Sequence, residues 1–158
     1  MIDEMGIFRT DIEIAAFYPD GERRLLRDVM VDTGSEYNWM PADTLRELGV
    51  APVRIDRFET ADGRILEREI GFAFFYTAGR SSPAIAVFAR PGDMILLGAH
   101  GLEGMNLRVD LVRRELMPAG PVPAAGVGRT VDEQSHRPDG SWISDEVCDT
   151  QRCATLSH

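Results

Sequence analysis

Val29-Met30-Val31-Asp32-Thr33-Gly34-Ser35 sets an apolar run directly against a carboxylate, a hydroxyl and a glycine. Each residue type has a physical use. A strand ending at Val31 holds Asp32 on a rigid element. Gly34 permits a tight turn and lets backbone N–H groups come close to the carboxylate. The Thr33 and Ser35 hydroxyls are available as donors, Ser35 toward the outer carboxylate oxygen. Taken alone the tripeptide is also ordinary turn chemistry, since Asp and Gly favour turns. Its meaning depends on the rest of the chain.

Upstream, Phe8 to Tyr18 carries Ile12 and Ile14 at period two, as a strand with one buried face requires. Pro19-Asp20-Gly21 is turn chemistry, so this strand and Leu25 to Val31 form a predicted hairpin. Downstream, Pro41 opens PADTLRELG, a short amphipathic helix stopped by Gly49. FETADGRILERE reads as a second hairpin with Ala61-Asp62-Gly63 at its tip. Ile70 to Tyr76 and Ala84 to Ala89 are strand-like. Met94-Ile95-Leu96-Leu97 is a fully apolar run ending at Gly98, Ala99 to Met105 is a short helix, and Leu107 to Leu116 is one bent strand or two short ones. Helices are brief and do not alternate regularly with strands. The expected class is therefore all-β, with one or two short helices and no parallel βαβ sheet.

The chain has 158 residues and a formal net charge of −9, and all of its 17 basic residues are arginines. Length favours a single domain, assigned to residues 1–117. From Pro118 the text turns to MPAGPVPAAGVGRT and DEQSHRPDGS, a Pro/Gly-rich extension without apolar period, expected to be a flexible tail over residues 118–158. An acidic chain without a basic cluster argues against nucleic acid and anionic membrane as partners. Cys148 and Cys153 both lie in the extension, which excludes a disulfide-built core and a cysteine nucleophile within it. His100, His136 and His158 have no metal-ligand spacing, so no metal and no cofactor is expected. No basic start precedes an apolar run and no stretch is long enough to span a bilayer. The expectation is a soluble, cytoplasmic protein.

Two segments together carry more than either alone. An apolar-apolar-Asp-Thr-Gly loop followed later by an apolar-apolar-Gly strand and a helix resembles the single-domain, retropepsin-like aspartic proteases. The matching text is VMVDTGSEYNWMPADTLRELG and ILLGAHGLEGMNLRVDLVRREL, within about residues 5 to 117. The resemblance implies an acid-protease-like closed β domain in which the later strand, Leu96-Leu97-Gly98, threads the Asp32 loop. It implies an aspartic endopeptidase with Asp32, Thr33 and Gly34 as the catalytic set. Ser35, Ala61, Asp62 and Gly63 would meet an extended peptide substrate, the last three from a flap-like hairpin.

The chain carries one Asp-Thr-Gly and no internal repeat. Paired carboxylates then require a second copy, so a homodimer with Asp32 meeting its own mate on a twofold axis is expected. Thr33 would bond across that axis, and terminal strands including Leu107 to Leu116 would pair between subunits. The chain departs from the retroviral pattern at Ser35, where Ala is usual, at Ala99-His100, where Arg commonly follows the glycine, and at the hairpin tip, which has one glycine. Tyr37 and Trp39 are candidates for the substrate pocket or for loop packing. The alternative reading is a dimerisation or peptide-binding module of the same fold with little or no catalysis.

Overall fold

A computed structural model describes residues 7–124. The proposed tail, including Cys148 and Cys153, lies outside the described residues from 125 onward. Nine strands and two helices are present among the described residues: β1 (Arg9–Ala15), β2 (Arg24–Val31), β3 (Asn38–Pro41), α1 (Ala42–Leu48), β4 (Arg54–Glu59), β5 (Ile65–Thr77), β6 (Arg80–Ala89), β7 (Leu96–Leu97), α2 (Ala99–Gly104), β8 (Leu107–Asp110) and β9 (Glu115–Pro118). The all-β class with two short helices, expected from the pattern, is the class observed.

Seven strands form one sheet in the order β1-β2-β7-β3-β6-β5-β4, and β1 also pairs with β5. That extra pairing, Glu13 with Tyr76 to Ala15 with Phe74, closes the sheet on itself. A closed sheet has no exposed edges among its barrel strands. β4 stays outside the closure, joined only to the first half of β5 as a hairpin running from the Arg54–Ile70 pair to the Glu59–Ile65 pair. The core fills the barrel with side chains at period two: Ile12 and Ile14 from β1, Val29 and Val31 from β2, Ala73 and Phe75 from β5.

The threading strand is short and central. β7 runs parallel to β2, with Met30 beside Leu96 and Val31 beside Leu97, and antiparallel to β3 at Trp39. Leu97 is completely buried. Burying a leucine of this kind stabilises by roughly 2 kcal/mol relative to exposure. α1 ends where the sequence places its stop: Gly49 takes the left-handed conformation at φ 92°, and its N–H donates to the Arg46 carbonyl at 3.0 Å.

Two features were not anticipated. β3 is a strand, whereas Tyr37 to Met40 carried no strand assignment. Ile65 to Thr77 is one continuous strand, joined to β6 at Ala78-Gly79. Ala78 sits at φ 49° and Gly79 at φ 73°, a hairpin turn hidden behind an alanine that rarely takes that conformation. Leu107 to Pro118 takes the second of its two expected forms, a pair of short strands, but β8 and β9 pair with each other within one chain, where pairing between subunits was expected.

Candidate active site

Asp32 follows the last residue of β2, and its backbone is held by the threading strand. Its N–H donates to the Leu97 carbonyl at 3.0 Å. The loop then folds back: the Gly34 N–H donates to Asp32 Oδ1 at 2.9 Å and the Ser35 N–H to the Asp32 carbonyl at 3.2 Å. A Cβ at position 34 would stand 3.2 Å from Asp32 Oδ1, a tight approach that glycine avoids. The carboxylate is thus oriented by backbone. The Ser35 hydroxyl donates to the Tyr37 carbonyl at 3.1 Å. In this chain it braces the loop and makes no bond to the outer carboxylate oxygen.

Behind the loop, Gly98 and the first turn of α2 close against it. The Ala99 N–H donates to the Ser35 carbonyl at 2.7 Å and the His100 N–H to the Glu36 carbonyl at 3.0 Å. Gly98 has an extended backbone, φ −93° and ψ −176°, so its role is close approach. A Cβ there would meet the Tyr37 carbonyl oxygen at 2.3 Å and that of Ser35 at 2.7 Å.

One organising residue was not identified from the sequence. Asn38 is fully buried. Its Oδ1 accepts the Gly98 N–H at 2.8 Å and its Nδ2 donates to the Ile85 carbonyl at 3.0 Å. The side chain ties β3 to β6 and to the end of β7. A buried amide is tolerated because these bonds satisfy it. The only available signal was its place in the alternation, where Asn38 and Met40 point inward and Tyr37 and Trp39 outward.

The outward residues enter a cleft between the Asp32 loop and the β4–β5 hairpin. Asp32, Gly34, Ser35, Ala61, Asp62 and Leu96 line this one cleft, so most of the expected site residues converge. Thr33 faces a second, apolar depression together with Asp32, Phe8 and Leu107. Gly63 lies at the hairpin tip at φ 81° with open space around it, outside the lining. Leu97 is in the core and Gly98 is buried behind the loop.

The hairpin tip is internally braced. The Thr60 N–H donates to the Arg64 carbonyl at 2.9 Å and the Gly63 N–H to the Thr60 carbonyl at 2.8 Å. Asp62 accepts from the Thr60 hydroxyl and, at 2.8 Å, from Arg64 Nε. These hydrogen bonds, the Thr60 bond foremost, hold the Asp62 carboxyl below its ordinary pKa.

Across the cleft, Asp93 receives Arg68 through two bonds, Nε to Oδ2 at 2.7 Å and the second guanidinium nitrogen to Oδ1 at 2.9 Å. It also accepts the Arg90 N–H at 2.8 Å. This pair ties the 90–93 turn, which leads into β7, to the inner face of the hairpin. The Arg68 bonds are the main reason the Asp93 carboxyl sits below its usual pKa. Among the described residues no cluster of three or more His, Cys, Asp or Glu is set to hold a metal.

No family model matches the chain, and no curated protein matches it. Among solved structures the chain is similar to the solution structure of simian foamy virus (mac) protease, at 20% identity and a TM-score of 0.42, over 60% of this chain and 91% of that one.

Proposed function

We propose that the chain is a homodimeric aspartic endopeptidase whose active site is completed by Asp32 of a second copy. The observation that carries this reading is the setting of Asp32. It stands at a strand end, with its backbone fixed by Leu97 and its carboxylate by Gly34, at the boundary between a peptide-sized cleft and an apolar surface. That surface includes the exposed side chains of Met94 and Leu111. A second copy meeting this face about a twofold axis brings the two Asp32 carboxylates together, with a cleft on each side. Thr33, on the same face, is within the contact and bonds across the axis.

Two carboxylates at close range do not both ionise freely and share one proton. The ionised member takes a proton from a water molecule as its oxygen attacks the scissile carbonyl carbon. The protonated member donates to the carbonyl oxygen, giving a neutral tetrahedral diol. Proton transfer to the amide nitrogen then lets the C–N bond break, and the products are a carboxylic acid and an amine. The backbone of an extended substrate bonds to the cleft walls, and side chains enter pockets along it.

The test is cleavage of a peptide library by the wild type, by Asp32→Asn, and by the wild type with a statine-type inhibitor. Asp32→Asn is expected to lose activity by roughly a thousandfold, and the inhibitor to block the wild type. Cleavage undiminished in Asp32→Asn contradicts the proposal. Peptide bound but uncut by either protein identifies a binding module.

A further inference from the structure

We infer that the aromatic wall of the cleft is a subsite for a cationic side chain, arginine or lysine, repeated in each half of the paired cleft. The inference rests on the proteolytic reading for its substrate being a peptide, while its physical basis is separate. Strand alternation turns Tyr37 and Trp39 of the motif loop outward into the cleft. Phe58 meets them from the inner face of β4. The Trp39 and Phe58 ring centres lie 5.0 Å apart at 64°, and those of Tyr37 and Phe58 5.9 Å apart at 81°. All three rings are part-exposed and line the cleft. Crossed rings of this kind present negative faces in more than one direction, to which a guanidinium or ammonium is attracted.

The local charges select the sign. Three acids of the lining are already matched: Asp56 by Arg54 at 2.8 Å, Asp62 by Arg64 at 2.8 Å and Asp93 by Arg68 at 2.7 Å. Arg57 and Glu59 both fall at exposed positions of β4, alternating with the inward Asp56 and Phe58, and add no net charge to the lining. This leaves Glu36 in the same cleft lining as the three rings, in addition to Asp32, while the His100 ring packs against Tyr37 at 5.8 Å. Glu36 is exposed, and its backbone is fixed by the His100 N–H at 3.0 Å. A carboxylate sharing a cleft with three rings favours a cation and repels an acidic side chain. Twofold symmetry doubles the effect, so preferred peptides carry basic residues on both sides of the scissile bond.

Binding is measured by fluorescence anisotropy on the full-length Asp32→Asn chain, with a positional-scanning peptide library in which arginine, neutral citrulline and glutamate alternate at each position. At the flanking positions arginine is expected to bind roughly tenfold more tightly than citrulline, with the ratio shrinking as salt is added. Adding Glu36→Gln brings the ratio toward one. Adding Glu22→Gln, which removes the same charge outside the cleft, preserves it. Equal binding of arginine and citrulline, binding of neither, or equal loss with Glu22→Gln overturns the inference. The same library given to the wild type separates the two claims. Arginine-selective binding without cleavage sinks the protease and leaves the subsite. Cleavage indifferent to arginine sinks the subsite and leaves the protease.

Discussion

An alanine at position 98 would put a methyl carbon 2.3 Å from the Tyr37 carbonyl oxygen, so backbone, not a flexible side-chain end, would have to shift. Gly98→Ala is expected to destabilise the fold by at least about 1–3 kcal/mol, the range for overpacking, read as a lower midpoint in urea. Asn38→Ala acts by the opposite route, leaving the buried Gly98 N–H and the part-buried Ile85 carbonyl without their partner. Two such groups cost roughly 2–4 kcal/mol together, and the Asp32 loop loses its brace from behind. A change below about 0.5 kcal/mol, the ordinary surface value, would contradict this role. Sequence marked Gly98 because it ended an apolar run, but the reason for glycine there is a carbonyl from a distant segment. Asn38 was invisible for a related cause: asparagine is mostly a surface residue, and only the path of β6 and β7 supplies its partners.

At the scale of elements, the Arg68–Asp93 pair couples the hairpin to the turn before β7. Its side chains are only 12% and 10% exposed, so solvent screens it little. Asp93 has a folded-state pKa below the ordinary 3.8. The stability it contributes is therefore present above the unfolded value and lost as pH falls through the lower, folded one. Arg68→Met is expected to cost about 1.5–3 kcal/mol at neutral pH, and its deficit relative to the wild type should narrow as the medium is made strongly acidic. Denaturant unfolding at several pH values measures this, and a deficit independent of pH would rule the pair out. Leu97→Ala, within the two-residue β7, should cost about 2–5 kcal/mol through the cavity it leaves.

The β1–β2 and β4–β5 hairpins were legible because period-two patterning and Pro-Asp-Gly or Ala-Asp-Gly turns act locally. β3 was not: four residues following a loop, with a polar inward residue, offer no clean alternation. The β5–β6 turn was missed because Ala78 adopts a positive φ that its side chain does not advertise.

For the whole molecule, closure of the barrel through β1 and β5 pairs residues about sixty positions apart, a contact no local pattern specifies. The all-β class could still be read, since brief helices among many strands leave few alternatives. Of the candidate site, the Asp-Thr-Gly loop and the Ala61-Asp62 part of the hairpin tip, which line one cleft, were legible. The aromatic wall was visible only as isolated residues, because Phe58 joins Tyr37 and Trp39 through folding alone. The proposed dimer, built on the face beside Thr33, would bury Met94 and Leu111, 59% and 61% exposed in the single chain. Met94→Glu, which places like charges across a twofold contact, is expected to shift the mass in solution toward one chain and to lower activity in parallel.

Subunit mixing tests the shared site most directly. Wild type is combined with rising proportions of Asp32→Asn under exchange conditions at constant total protein, and peptide cleavage is followed. If each active site needs Asp32 from both copies, activity falls with the square of the wild-type fraction; a simple linear fall means that one chain works alone.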